Sequence, residues 1–209
     1  MSINVLEPQD IYTEEVDRYN KRYYKNGKLH RDGDEPAVIW SDGSKHYYKS
    51  GKRHRDGDKP AVINSNGTIR YYKDGKLHRD GDKPADIDSD GSVEYWKNGE
   101  LHRDGDKPAV IYSDGTVNYY KNGELHRDGD KPAVIWSEGI KEYWKNGVKY
   151  TKEQVEKMEE IRTRIVNRIA VRCARYWYDE TYRDTEGKAF QARMKRDMDY
   201  LENDIGYVF

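Results

Sequence analysis

Residues 47–70 read YYKSGKRHRDGDKPAVINSNGTIR, and the chain repeats this phrase with little change on both sides. YYKNGKLHRDGDEPAVIWSDGSKH begins at Tyr23, YYKDGKLHRDGDKPADIDSDGSVE at Tyr71, YWKNGELHRDGDKPAVIYSDGTVN at Tyr95 and YYKNGELHRDGDKPAVIWSEGIKE at Tyr119. A last unit, YWKNGVKYTK, opens at Tyr143 and breaks off. The period is 24 residues without insertion or deletion, so five of the six histidines (30, 54, 78, 102, 126) and five of the six prolines (36, 60, 84, 108, 132) fall on one phase each. A fixed period of this kind is the mark of stacked repeats.

Each unit carries three chain-reversal signals. Asn26-Gly27, Asp74-Gly75, Asn98-Gly99 and Asn122-Gly123 supply positive φ at two adjacent positions, as a two-residue hairpin turn requires. Asp42-Gly43, Asn66-Gly67, Asp90-Gly91 and Asp114-Gly115 repeat the signal 16 residues later. Between them, H-R-D-G-D-x-P bends the chain and ends in a residue that cannot donate to a ladder. The segments left over suit short strands and exclude a helix of about ten residues. The spacing therefore predicts about one β-hairpin per unit, stacked into an antiparallel meander. Side-chain alternation nominates two core ladders: Tyr at 23, 47, 71, 95, 119 and 143, and Ile at 39, 63, 87, 111 and 135. A second aromatic column (Tyr24, Tyr48, Tyr72, Trp96, Tyr120, Trp144) then falls on a partly covered face and is the candidate partner-binding surface.

The whole chain has 209 residues, of which 37% are charged and 34% hydrophobic, with a formal net charge of -1. Its mean hydropathy is -1.21. The 19 Tyr and 5 Trp weigh against a disordered coil. No stretch is apolar enough for a membrane span, and the opening residues lack the basic start and apolar run of a secretory signal, so the chain is expected to be neither transmembrane nor secreted. Cys173 is the single cysteine and cannot form an internal disulfide. A near-neutral balance gives no overall drive toward nucleic acid or membrane.

The pattern W/Y-x-N-G-x-x-H-x-x-G, followed about ten residues later by D-G, resembles a MORN-type repeat, whose units of about 23 residues are β-hairpins. The resemblance covers residues 19–150. It departs from the usual pattern where Gly after His is replaced by Arg31, Arg55, Arg79, Arg103 and Arg127, followed by D-G-D-x-P-A (D-G-D-x-P in every unit). The chain is closer to the divergent H-R-x-x-G-P-A repeats abundant in giant DNA viruses of the marseillevirus type. The resemblance implies scaffolding or partner binding, no catalysis, no cofactor and no small-molecule substrate. It also implies a place in the virion or the infected-host cytoplasm.

At Thr151 the pattern changes. Thr151-x-x-Gln154 is a capping box, and Ile161, Ile165, Ile169, Cys173 and Tyr176 continue at helical spacing. The first helix is expected over 151–183, a break at Asp184–Gly187, and a second helix over 187–205 with Phe190, Met194, Met198, Leu201 and Ile205 on one face. Residues 1–22 are expected to cap the repeats of 23–150. The apolar stripe, with its tail Tyr207-Val208-Phe209, exceeds what one half-polar sheet needs, so the helices are read as a homodimer element. Arg164, Arg168, Arg172 and Arg175 form a basic stripe. With the Lys column (25, 49, 73, 97, 121, 145) it makes a weak anionic lipid or nucleic-acid contact the alternative function.

The H-R-D-G-D loops invite sharper readings that fail on their own terms. Kinase-like H-R-D has no accompanying Gly-rich loop. Calcium on Asp32 and Asp34 meets an adjacent Arg and, in most units, a Lys. Zinc at the His column meets a spacing of about 10 Å between units, too wide to share one ion. The plainer expectation is that these Asp residues make Asx-turns and that each Arg pairs with an Asp in its own or the next unit. Catalysis needs one distinctive site, and every candidate here recurs five-fold. No metal or catalytic residue is nominated, and the expected partners are a second copy and an unidentified protein.

Overall fold

The computed structural model describes residues 10–178 and 180–203, and of these the side chains outside 177–187 and 201–203. The described chain is an antiparallel β-repeat followed by a pair of helices. It forms two compact units. One comprises residues up to Leu125 together with Val134–Ile140, and the other His126–Ala133 together with residues from Lys141 on.

In the first unit each repeat contributes two hairpins, not one. The first belongs to a long common sheet. Arg22, Val38, His46, Val62, Arg70, Asp86, Glu94, Val110, Asn118 and Val134 lie opposite one another in unbroken succession. Directly opposed residues share a face. The other face therefore carries Ile39, Lys45, Ile63, Ile69, Ile87, Val93, Ile111, Val117 and Ile135. In the repeats that open at Tyr47, Tyr71, Tyr95 and Tyr119 the second hairpin stands apart as a two-stranded piece, for example Tyr48–Lys49 with Lys52–Arg53, whereas in the first repeat Lys28–Leu29 pairs with the unbroken sheet strand Lys21–Lys25. The turn between Lys49 and Lys52 uses Ser50 (φ 51) and Gly51 (φ 83), the doubly positive geometry that matches strand twist. The split arises at Tyr47. Its N–H donates to the Ala61 carbonyl at 2.7 Å and its carbonyl accepts the His54 N–H at 3.1 Å, so one residue serves both hairpins and belongs to neither ladder.

The core corrects the two nominated ladders. Tyr47 and Tyr71 are buried, but Tyr23, Tyr95 and Tyr119 are half-buried, as are all five Ile. The least exposed residues of the repeats are Ala37, Ala61, Ala85, Ala109 and Ala133, all at 0%, with Val38, Val62, Val110 and Val134 at 2–3%. Strands of two residues leave little width for large side chains, so the close-packed layer is built from small ones. A column of buried hydroxyls joins the main-sheet turns: Ser44, Thr68 and Ser92 accept the N–H of Ser65, Ser89 and Ser113 at 2.9–3.3 Å. The strand Tyr12–Val16 pairs with Lys21–Lys25 and closes the first repeat. Residues 1–9 of the expected cap lie outside the described residues.

In the second unit Lys141–Lys145 pairs with Val148–Tyr150, and helix α1 (Lys152–Tyr178) follows. The capping box forms as read: Thr151 N–H donates to Gln154 Oε1 at 2.8 Å and Gln154 N–H to Thr151 Oγ1 at 3.2 Å. Helix α2 spans Glu180–Asn203. The break expected at Asp184–Gly187 is helical instead. One glycine inside a helix costs only about 1 kcal/mol, and it sits among Glu, Lys and Ala, which favour helix. Ile205 and the tail at 207–209 lie outside the described residues.

Candidate functional site

Each H-R-D-G-D loop is a junction between repeats. Nδ1 of His54 accepts the N–H of Asp74, and its Nε2 lies 3.0 Å from Asp56 Oδ1. A neutral imidazole that accepts at Nδ1 carries its proton on Nε2, so the tautomer is set by the fold. His30, His78 and His102 repeat the arrangement, with acceptor distances of 3.0–3.1 Å to Ser50, Asn98 and Asn122. His126 does so in the second unit with Asn146 at 3.1 Å. Both ring nitrogens are thereby committed. Among the described residues no three His, Cys, Asp or Glu side chains converge as metal ligands.

The arginine that follows reaches backward. Arg55 lies 3.7 Å from the centre of the Tyr47 ring and grips Asp34 with Nε at 2.7 Å and Nη2 at 3.3 Å. Lys59 adds a third bond to Asp34 at 2.6 Å. Arg79 on Asp58 and Arg103 on Asp82 repeat this, each with its own Lys. The Arg and then the Lys hydrogen bonds hold the Asp34 and Asp82 carboxyls at about 2, and Asp58 is depressed for the same reasons. The other aspartate of each loop takes the histidine and a lysine: Lys49 bonds Asp56, Lys73 bonds Asp80 and Lys97 bonds Asp104. The expected Asx-turns form elsewhere, at Asp42, Asp90 and Asp114, whose Oδ1 accepts the N–H two residues on.

The second aromatic column is half-buried throughout. Tyr24 donates to Glu15 at 2.8 Å; Tyr48 accepts from Arg53 at 3.3 Å, and the Arg53 guanidinium lies 5.4 Å from the Tyr72 ring. Trp96 donates its indole N–H to Glu94 at 2.7 Å, Tyr120 stands beside Asn118, and Trp144 donates to Glu142 at 2.9 Å. Within the repeats of 23–150 the more exposed rings are Trp40 (36%), Tyr112 (42%) and Trp136 (43%). They share one phase that sequence reasoning passed over, because Asn64 and Asp88 interrupt it.

One repeat departs from the rest in its core. Asp86 replaces the valine and is 6% exposed. Its Oδ2 accepts Arg70 Nε at 2.6 Å, while Oδ1 is buried without a partner. Burial pushes both Asp86 and the cross-strand Glu94 above the usual carboxylate range.

The helix pair uses much of the nominated stripe on itself. Ile165 is buried against Met158, Ile161 and Ile169. Phe190 stacks on Tyr176 with ring centres 4.4 Å apart. What stays open is a groove of 440 Å³ lined by Cys173, Tyr176, Phe190, Met194 and Met198. The side chain of Leu201 lies outside the described residues. Arg168 (2.8 Å) and Arg172 both bond the buried Asp197, and Arg164 bonds Glu160 at 3.0 Å. Arg175 is exposed on α1. Below the stripe, Val155 is 1% exposed and Lys145 bonds Glu159 at 3.1 Å, which seats the start of α1 within the second unit.

No family model, curated protein or solved structure matches this chain.

Proposed function

We propose that the chain is a non-enzymatic scaffold: a rigid repeat platform that receives a protein partner and pairs with a second copy through α1 and α2. The observation that carries this reading is the clamping of successive H-R-D-G-D loops in the first unit, where Arg55, Arg79 and Arg103 each grip an aspartate of the preceding loop. In each of these loops one aspartate takes the histidine and a strand lysine of its own repeat and the other takes the arginine and lysine of the next, which stiffens the array and commits these side chains to structure. The groove at Cys173, Tyr176, Met194 and Met198 is the surface for the second copy. By the resemblance to MORN-type repeats of giant DNA viruses, its place is the virion or the infected-host cytoplasm. The anionic-surface reading has less support, since Arg168 and Arg172 are engaged by Asp197 and Lys49, Lys73 and Lys97 by their own loops.

Light scattering on the full chain tests the assembly. The expected result is a dimer that becomes monomeric in the Met194→Glu, Met198→Glu variant with an unchanged circular dichroism spectrum. A full chain that is monomeric at all concentrations overturns pairing through the helices.

A further inference from the structure

The tripeptide Glu-Tyr-Trp occurs twice, at Glu94-Tyr95-Trp96 and at Glu142-Tyr143-Trp144, and nowhere else in the chain. In both places the indole N–H donates to the glutamate two residues before it, at 2.7 Å and 2.9 Å. The two copies differ in what stands across the hairpin. Opposite Trp144 is Lys149; opposite Trp96 is Leu101. Lys149 extends over the Trp144 ring, with its ammonium 5.5 Å from the ring centre, and bonds Glu142 at 2.8 Å. The molecule thus shows the occupant that this Glu–Trp pair takes: one lysine side chain, held by the carboxylate and by the ring face.

At Glu94 no lysine or arginine among the described residues makes that bond. The nearby Arg70 is committed to Asp86 at 2.6 Å and Asp88 at 3.5 Å. Asp86 and Asp88 therefore take up the one nearby guanidinium, and the Glu94 carboxylate keeps only the bond from the half-buried indole. Burial, with the nearby Asp86 and Asp88 charges, raises the Glu94 carboxyl, as expected of a site short of a cation.

We propose that Glu94 and Trp96 form a receptor for a single lysine side chain presented by a partner polypeptide, the intermolecular counterpart of Lys149 on Glu142 and Trp144. This rests on the reading of the repeat platform as a partner-binding scaffold and assigns the chemistry of the contact. Leu101 is uncharged and leaves the ammonium position to the partner. The repeats on either side do not reproduce the site, since Arg70 and Asn118 occupy the glutamate position and Tyr72 and Tyr120 the tryptophan position.

The test follows the indole N–H resonances of the full chain by nuclear magnetic resonance during titration with Nα-acetyl-lysine methylamide and, separately, its uncharged norleucine analogue. The expected result is a saturable shift of Trp96 with the lysine probe, little with norleucine, and a smaller response of Trp144, where Lys149 already sits. Glu94→Gln keeps an acceptor for the indole but removes the charge, and should weaken the response roughly tenfold. Leu101→Lys should supply the ammonium from within the chain and abolish it. Equal shifts from both probes, or Trp96 and Trp144 moving together, overturn the proposal. A dimer by light scattering with a silent Trp96 sinks the receptor and leaves the scaffold reading standing; a monomer with a responsive Trp96 does the reverse for pairing through the helices.

Discussion

Nδ1 of His54 accepts the backbone N–H of Asp74, twenty residues further on, at 3.0 Å. Asp74 sits at φ 52 in the two-residue turn with Gly75, so the histidine of one repeat holds that turn of the next. Replacing His54 with Ala removes that acceptor, which water can replace only in part, and should cost about 1 kcal/mol. His54→Asn, whose side-chain oxygen can take the place of Nδ1, should lose less. Urea unfolding of the two variants checks the order.

The Arg–Asp clamps make stability depend on acid. Asp34 and Asp82 titrate at about 2 in the folded chain, held down by Arg and Lys, against roughly 3.9 when unfolded. A depressed carboxyl stabilises fully above the unfolded value and loses that contribution as pH falls through the folded one. Urea midpoints should therefore be flat from neutrality down to about pH 4 on this account and drop steeply between about pH 4 and pH 2. Asp34→Asn with Asp82→Asn should lower the neutral midpoint and flatten the acid limb.

Asp86 acts with the opposite sign. Its carboxyl is raised by burial, so its charge opposes folding at neutral pH, and that penalty fades as the pH falls through the raised folded value and is gone below the unfolded one. Asp86→Val restores the residue used by the neighbouring repeats, and Arg70, one-third exposed and still beside Asp88, keeps access to water. A gain of about 1 kcal/mol at neutral pH is expected, shrinking in acid. Thermal melts of the pair at two pH values measure it.

Packing in the small-residue layer should be unforgiving in both directions. Ala61, at 0% exposure, has no room for growth, and Ala61→Leu should cost about 1–3 kcal/mol through overpacking. Val62→Ala removes two buried methyl groups and should cost about 2 kcal/mol. Denaturant midpoints at constant slope separate these from changes in the unfolded ensemble.

Much of the site chemistry was also legible locally. The Arg–Asp pairing followed from like residues at fixed phase, and the Thr151–Gln154 cap from its four-residue pattern. The direction of the clamp was misread: Arg55 reaches Asp34, 21 residues back in the preceding repeat, and not an Asp of its own or the next unit, because the stacking of repeats brings that carboxylate within reach. The Ile ladder was over-read: alternation places Ile63 and Val62 on opposite faces but does not say which face is sealed. Nor does local spacing show that Ile165 and Phe190 are consumed within the chain's own helix pair, leaving only part of the stripe open.

The 24-residue period, the doubly positive turns and the absence of long segments between them dictated the antiparallel repeat from the amino-acid order alone, because turn geometry is set by one or two residues at a time. Tertiary packing decided the rest. It split the inner repeats into two hairpins at the bridging tyrosine, sealed the Ala–Val layer, and set Lys149 on Glu142 while leaving Glu94 without a lysine. These outcomes depend on distances between residues remote in sequence, which only the stacked chain brings within reach.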